Sequence, residues 1–156
     1  MTLGGNRDGA RRVLAEVVGL TAWGAALGYG SFVTIEFGKE VADRSWRPGE
    51  WHLWVYGAAW KLLAGEHEIA DSDGDRVHLA VVVPQINGLT VRSVVVDNDL
   101  TVCFDFAGSH RLVIARGPDP ELEDWRLNTP DGLVHIFGPG DRQRSLRSNE
   151  PDYGQG

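Results

Sequence analysis

A concealed internal repeat runs through this chain and limits it to folds built from two like units. The segment 8–18 (DGARRVLAEVV) and the segment 73–83 (DGDRVHLAVVV) agree at seven of eleven positions, at an offset of 65 (73 − 8). After four extra residues, Pro84 to Asn87, the offset becomes 69, and Gly19-Leu20-Thr21 falls on Gly88-Leu89-Thr90. The same offset carries Phe32 to Phe37 onto Thr101 to Phe106, with Glu36 opposite Asp105. A further shift to 74 sets Trp51 against Trp125. Blocks kept in order and separated by loop-sized shifts are the signature of duplication. They predict two units, about 8–72 and 73–140, that bury one shared core. The chain of 156 residues has the length of a single domain with a core large enough to need neither disulfide nor metal.

Each unit reads as a short helix followed by strands. Asp8 and Asp73 are placed to cap helices, and Val13, Leu14, Val17 and Val18 form an apolar stripe at helical spacing. Alternating apolar runs predict strands at 20–27 with 32–37, and at 90–96 with 100–106, the latter pair turning at Asp97-Asn98-Asp99. A tryptophan opens a further pair in each unit: 51–56 then 60–63 across Gly57-Ala58, and 125–128 then 133–137 across Thr129-Pro130-Asp131-Gly132. In that last turn Pro presets φ and Gly accepts the closing conformation. An extra strand is expected at 110–115, and the polar, Gly-ending segment 141–156 reads as a disordered tail. The expected class is therefore α+β: two pseudo-symmetric units, each a short helix then antiparallel strands, in one mainly β domain.

The net charge of −7 argues against a nucleic-acid partner, which would need concentrated Lys and Arg. Acid concentrates instead between Asp97 and Asp131, where Asp97, Asp99, Asp119, Glu121, Glu123 and Asp124 define an acidic surface suited to a basic protein. Cys103 is alone, so no internal disulfide forms, and its apolar neighbours mark it as a small packed side chain. No signal-peptide pattern and no membrane-length apolar run is visible, from which a cytoplasmic location is expected.

At Trp125 to Gly132, followed by Gly138-Pro139-Gly140, the chain resembles small, functionally uncharacterised bacterial domains ending in W-x-L-x-x-P-D-G, with a preceding D-L-x-x-x-F strand at Asp99 to Phe104. The resemblance spans about residues 86–140 and implies no activity and no catalytic residues. Some small acidic bacterial proteins of this general kind are immunity proteins that occlude a toxin, an analogy of class only.

The strongest candidate site is aromatic. In a strand over 51–56, Trp51, Leu53 and Val55 face one way and His52, Trp54 and Tyr56 the other, with Trp60 close by in sequence. Arg126 and Asn128 occupy the corresponding outward places in the second unit. Trp and Tyr dominate binding hot spots, so this face is expected to meet a protein partner or a second copy of the chain. The alternative is a small-molecule-binding or enzymatic domain with a pocket between the two repeats. Metal and catalytic patterns are weak: the histidines lack ligand spacing, residues 71–82 do not match a calcium loop, and Ser109 and His110 are adjacent and so face apart on a strand. Gly28-Tyr29-Gly30 lacks the pattern of a phosphate loop, and Glu36 and Asp105 read as solvent-facing acids. The expectation is a non-catalytic, immunity-like binding protein with no cofactor and no metal.

Overall fold

A computed structural model describes residues 3–28, 30–41 and 48–147. It is mainly β: two antiparallel sheets with two short helices, α1 (Leu3–Leu14) and α2 (Arg76–Val82), each followed at once by a 3-10 turn. The first sheet has the order β1-β2-β3-β9-β10-β11, with β1 Ala22–Leu27, β2 Val33–Glu40, β3 Gly49–Val55, β9 Trp125–Asn128, β10 Leu133–Phe137 and β11 Gln143–Arg147. The second has the order β5-β4-β8-β7-β6, with β4 Ala59–Ala64, β5 His67–Asp71, β6 Val91–Val96, β7 Val102–Phe106 and β8 His110–Ala115. One core holds side chains from both: Ile35, Phe37, Leu53, Val55, Trp125 and Leu127 from the first, and Trp60, Leu62, Phe104, Phe106, Leu112 and Ile114 from the second. Alternation along each strand puts these residues on one face and leaves the opposite face for other work.

The succession helix, 3-10 turn, hairpin occurs twice, and where the two occurrences meet the backbone bonds are reciprocal. Gly19 N–H donates to Val91 O and Gly88 N–H to Ala22 O, both at 2.8 Å; Ala22 N–H donates to Leu89 O and Val91 N–H to Leu20 O, both at 2.9 Å. Between them Thr21 and Thr90 form an antiparallel bridge. Each helix lies against the hairpin of the other half: Arg7 of α1 donates to Val96 O at 2.9 Å, and Arg76 of α2 donates to the carbonyls of Gly28 and Gly30.

Several expectations are corrected. Asp8 lies inside α1 and caps nothing, because the helix already begins at Leu3. The cap of α2 is Asp75, whose carboxylate accepts the His78 N–H; Asp73 belongs to the preceding turn, where its own N–H is bound by Asp71. Val18 leaves the apolar stripe and is 42% exposed. The strands on either side of Gly57-Ala58 do not pair: β3 joins β2 and β9, whereas β4 joins β5 and β8. The chain changes sheets here because the N–H groups of Tyr56 and Ala58 are taken by Asp124 O and that of Gly57 by Glu123 O. Consequently Trp51 and Trp125, matched at the offset of 74, stand on neighbouring strands of one sheet. The segment 141–156 is not wholly a loose tail, since Gln143–Arg147 pairs along β10; residues 148–156 lie outside the described residues, as does residue 29 of the Gly28 to Gly30 stretch.

Candidate functional site: a cleft on the outer face of the first sheet

Strand register brings the site together. On the face of the first sheet turned away from the core, Glu36, His52, Asn128 and Val134 are successive cross-strand partners on β2, β3, β9 and β10. Beside this row runs a second, Thr34, Trp54, Arg126 and Ile136. Directly opposed Cβ atoms sit about 4.5–5.5 Å apart, so side chains in such rows must interact. Here they line an open cleft of about 470 Å³ whose walls are Thr34, Glu36, His52, Trp54, Arg126, Asn128 and Val134.

Two hydrogen-bonded side-chain pairs form its polar framework. Glu36 is only 8% exposed, and its two carboxylate oxygens lie 2.8 and 2.7 Å from His52 Nδ1. A carboxylate only accepts, so Nδ1 carries the proton, which fixes the tautomer and orientation of the ring. Glu36 Oε1 also accepts the Gly49 N–H at 2.9 Å. Glycine is required at 49 for that approach, because a Cβ there would stand 2.5 Å from Phe37 O. The second pair is bidentate: Arg126 Nε donates to Glu123 Oε1 at 2.6 Å and an Nη to Oε2 at 2.8 Å. The guanidinium also lies 5.6 Å from the centre of the Trp54 ring, within cation–π range. Trp54 in turn meets Phe32 and Tyr56 edge-on, at 6.4 and 5.3 Å between ring centres, while Phe32 and Tyr56 stack at 4.3 Å. Every large side chain of the cleft is therefore held from at least one side.

Of the residues singled out by sequence, His52, Trp54, Arg126 and Asn128 converge on the cleft. Tyr56 buttresses Trp54 without lining it. Trp60 does not belong: it is 3% exposed on β4 of the other sheet, with its indole N–H bound to Ser31 O, because the chain has crossed between sheets before reaching it. The acidic surface divides. Asp97, Asp99, Asp119 and Glu121 are exposed, but Glu123 and Asp124 are buried. Asp124 accepts the Gly117 N–H, and burial raises its carboxyl above the usual range. Glu36, read as solvent-facing, is a buried member of the cleft, whereas Asp105 is on β7 of the other sheet. Thr34, Glu36 and Val134 were missed as site residues. The legible signal for Glu36 was positional, an acid at the parity of His52 on the preceding strand with a glycine opening the next.

Cys103 is half-buried and its thiol is pushed up by burial, which keeps it protonated and poorly nucleophilic. Among the described residues no group of three or more His, Cys, Asp or Glu is placed to hold a metal ion, and no helix is long and apolar enough to cross a membrane. In comparisons with known proteins no family model matches the chain, and neither does a curated protein or a solved structure.

Proposed function

We propose that this protein is a binding domain for a small molecule, received in the cleft over the seam between β3 and β9. The observation that carries this reading is the convergence of Thr34, Glu36, His52, Trp54, Arg126, Asn128 and Val134 around about 470 Å³. Ligand sites are typically ~300–1,000 Å³, concave, and furnished with a few fixed polar groups against apolar walls. A flat aromatic patch would favour a protein partner instead, but the rings of Trp54, Tyr56 and Phe32 are spent on one another. The partner-occluding, immunity-like reading rests on the aromatic face or on the exposed acids. It is weaker because Asp97 and Asp119 use their carboxylates on the N–H groups of their own turns. The test is a fragment screen by ligand-observed NMR. Hits should compete for one site and be lost in Trp54→Ala, with circular dichroism unchanged. Hits that survive Trp54→Ala and His52→Ala, or no hits, would overturn it.

We infer further that the two halves are duplicates, about 8–72 and 73–140. Support comes from the reciprocal bonds around Thr21 and Thr90, which repeat at an offset of 69 (88 − 19). Buried Ala10, Val13, Leu14 and Val17 fall on buried Leu79, Val82, Val83 and Ile86 at that same offset, rather than at the 65 suggested by the D-G match. The sheet orders agree if β1-β2-β3 corresponds to β6-β7-β8 and β4-β5 to β9-β10, each half lending a hairpin to the other's sheet. Trp125 then matches Trp60, in W-R-L and W-K-L, and both indoles are 3% exposed. On this reading the cleft joins the two halves, Thr34 to Trp54 from one and Arg126 to Val134 from the other.

A further inference from the structure

Resting on that small-molecule reading, we propose that the cleft selects an uncharged, hydrogen-bonding ring, of the kind presented by a neutral sugar or a nucleobase. Charge and spare hydrogen-bonding capacity both favour such a ring. Each charged side chain that lines the cleft already has partners within the protein. Glu36 already accepts from His52 Nδ1 and from the Gly49 N–H, so a cationic ligand would have to share it with both. Arg126 is held fork-to-fork by Glu123, which is 1% exposed and also faces Arg144 at 3.9 Å. An anionic ligand would have to displace a buried, prealigned carboxylate from this guanidinium, one of the strongest arrangements a protein offers. A charged ligand of either sign would have to compete with these partners while shedding its own water, and that penalty is large.

The groups left over are neutral. Among the described residues, the Thr34 hydroxyl, the Trp54 indole N–H and the Asn128 carboxamide make no hydrogen bond. They provide a hydroxyl that donates and accepts, a pure donor, and an amide that presents donor and acceptor side by side. A partner with both donors and acceptors matches them, and it needs no net charge to do so. Trp54 and Val134 supply the apolar surface for a ring body. A site built to hydrogen-bond its ligand also discriminates strongly against analogues that leave its polar groups unmatched.

The experiment uses the full chain and two matched sets of probes: D-glucose, D-glucuronate and D-glucosamine, and uracil, orotate and 5-aminomethyluracil. Each set holds one ring and varies its charge. Saturation-transfer NMR on the wild type should find the neutral member of one set bound, with its charged relatives at least about tenfold weaker. The signal should vanish in Trp54→Ala and weaken in Asn128→Ala. Which set responds separates sugar from base. Glu123→Gln, which removes the carboxylate that Arg126 donates to, should move the preference towards the anionic member. If that variant does not fold, the wild-type ranking decides alone. A charged member bound as tightly as its neutral relative, and lost in Trp54→Ala, would sink the uncharged class while leaving the cleft as a binding site. No binding by any of the six also overturns the proposal, and the fragment screen then decides whether the cleft reading falls with it.

Discussion

At the residue scale, Asp124 shows how a local sequence motif can mislead and still be informative. The acid-rich context suggested a surface charge, yet its side chain is drawn under the loops that carry Gly117 and Gly138, where a Cβ on Gly138 would stand 2.6 Å from the carboxylate. Burial is the largest influence on its carboxyl and raises the pKa; the Gly117 N–H and Arg116 oppose this only in part. The folded protein therefore binds this proton more tightly than the unfolded chain does. The stabilisation from protonated Asp124 is complete below the unfolded value, about 3.9, and is lost as pH rises through the raised folded value. Asp124→Asn keeps an acceptor for Gly117 without the charge, so its stability relative to wild type should increase from about pH 4 to about pH 8. Urea denaturation of both proteins at the two pH values measures this. A difference that does not change, or that changes in the opposite sense, would contradict the assignment of burial as the dominant cause.

At the scale of elements, β11 is the strand most dispensable by sequence and most exposed to test. It lies along β10 from Leu133 to Phe137, and its Arg144 stands opposite Ile136, a fully buried side chain on the cleft face. A chain ending at Gly140 would turn β10 into an edge strand and uncover Ile136. The expected loss is on the order of 2 kcal/mol, or roughly 4–8 °C in Tm for a chain of this size. Concentration-dependent aggregation through the new edge should accompany it. A thermal melt no different from that of the full chain would show that β11 adds nothing. Hairpins whose turns carry their own chemistry were legible: Asp97 binds the N–H groups of Asp99 and Thr101, and Asp131 accepts from Thr129 and Leu133. The crossing at Gly57-Ala58 was not legible, because glycine and alanine there would serve a hairpin equally well. What decides the matter is capture by carbonyls of Glu123 and Asp124, more than sixty residues away in sequence. The candidate site was half legible for a related reason: strand parity gave the outward face of β3, but only the register between β3 and β9 sets Arg126 and Asn128 beside it.

At the scale of the whole molecule, the reciprocal seam makes duplication a question of energetics as well as of ancestry. Gly19 and Gly88 follow the two 3-10 turns with φ of +90° and +86°, and a Cβ at either would meet nothing within 4 Å. Sterics with neighbours are thus absent at both, and the cost of Gly→Ala is purely that of the left-handed backbone, roughly 1–2 kcal/mol. Both N–H groups donate across the seam with the same 2.8 Å geometry. If the halves are equivalent in this sense, Gly19→Ala and Gly88→Ala should destabilise by equal amounts. Because each perturbs the same shared seam through reciprocal bonds, the double variant should depart from the sum of the two, as contacting sites do. Denaturant melts of the three variants supply the double-mutant cycle. Unequal single losses that simply add would mean that the two halves meet here as strangers, with the matching sequence at Gly-Leu-Thr a coincidence of turn chemistry. Equal, coupled losses would mean that folding treats the junction as one element, so that neither half completes its sheet before the other arrives with its hairpin, and the cleft between them exists only in the finished fold.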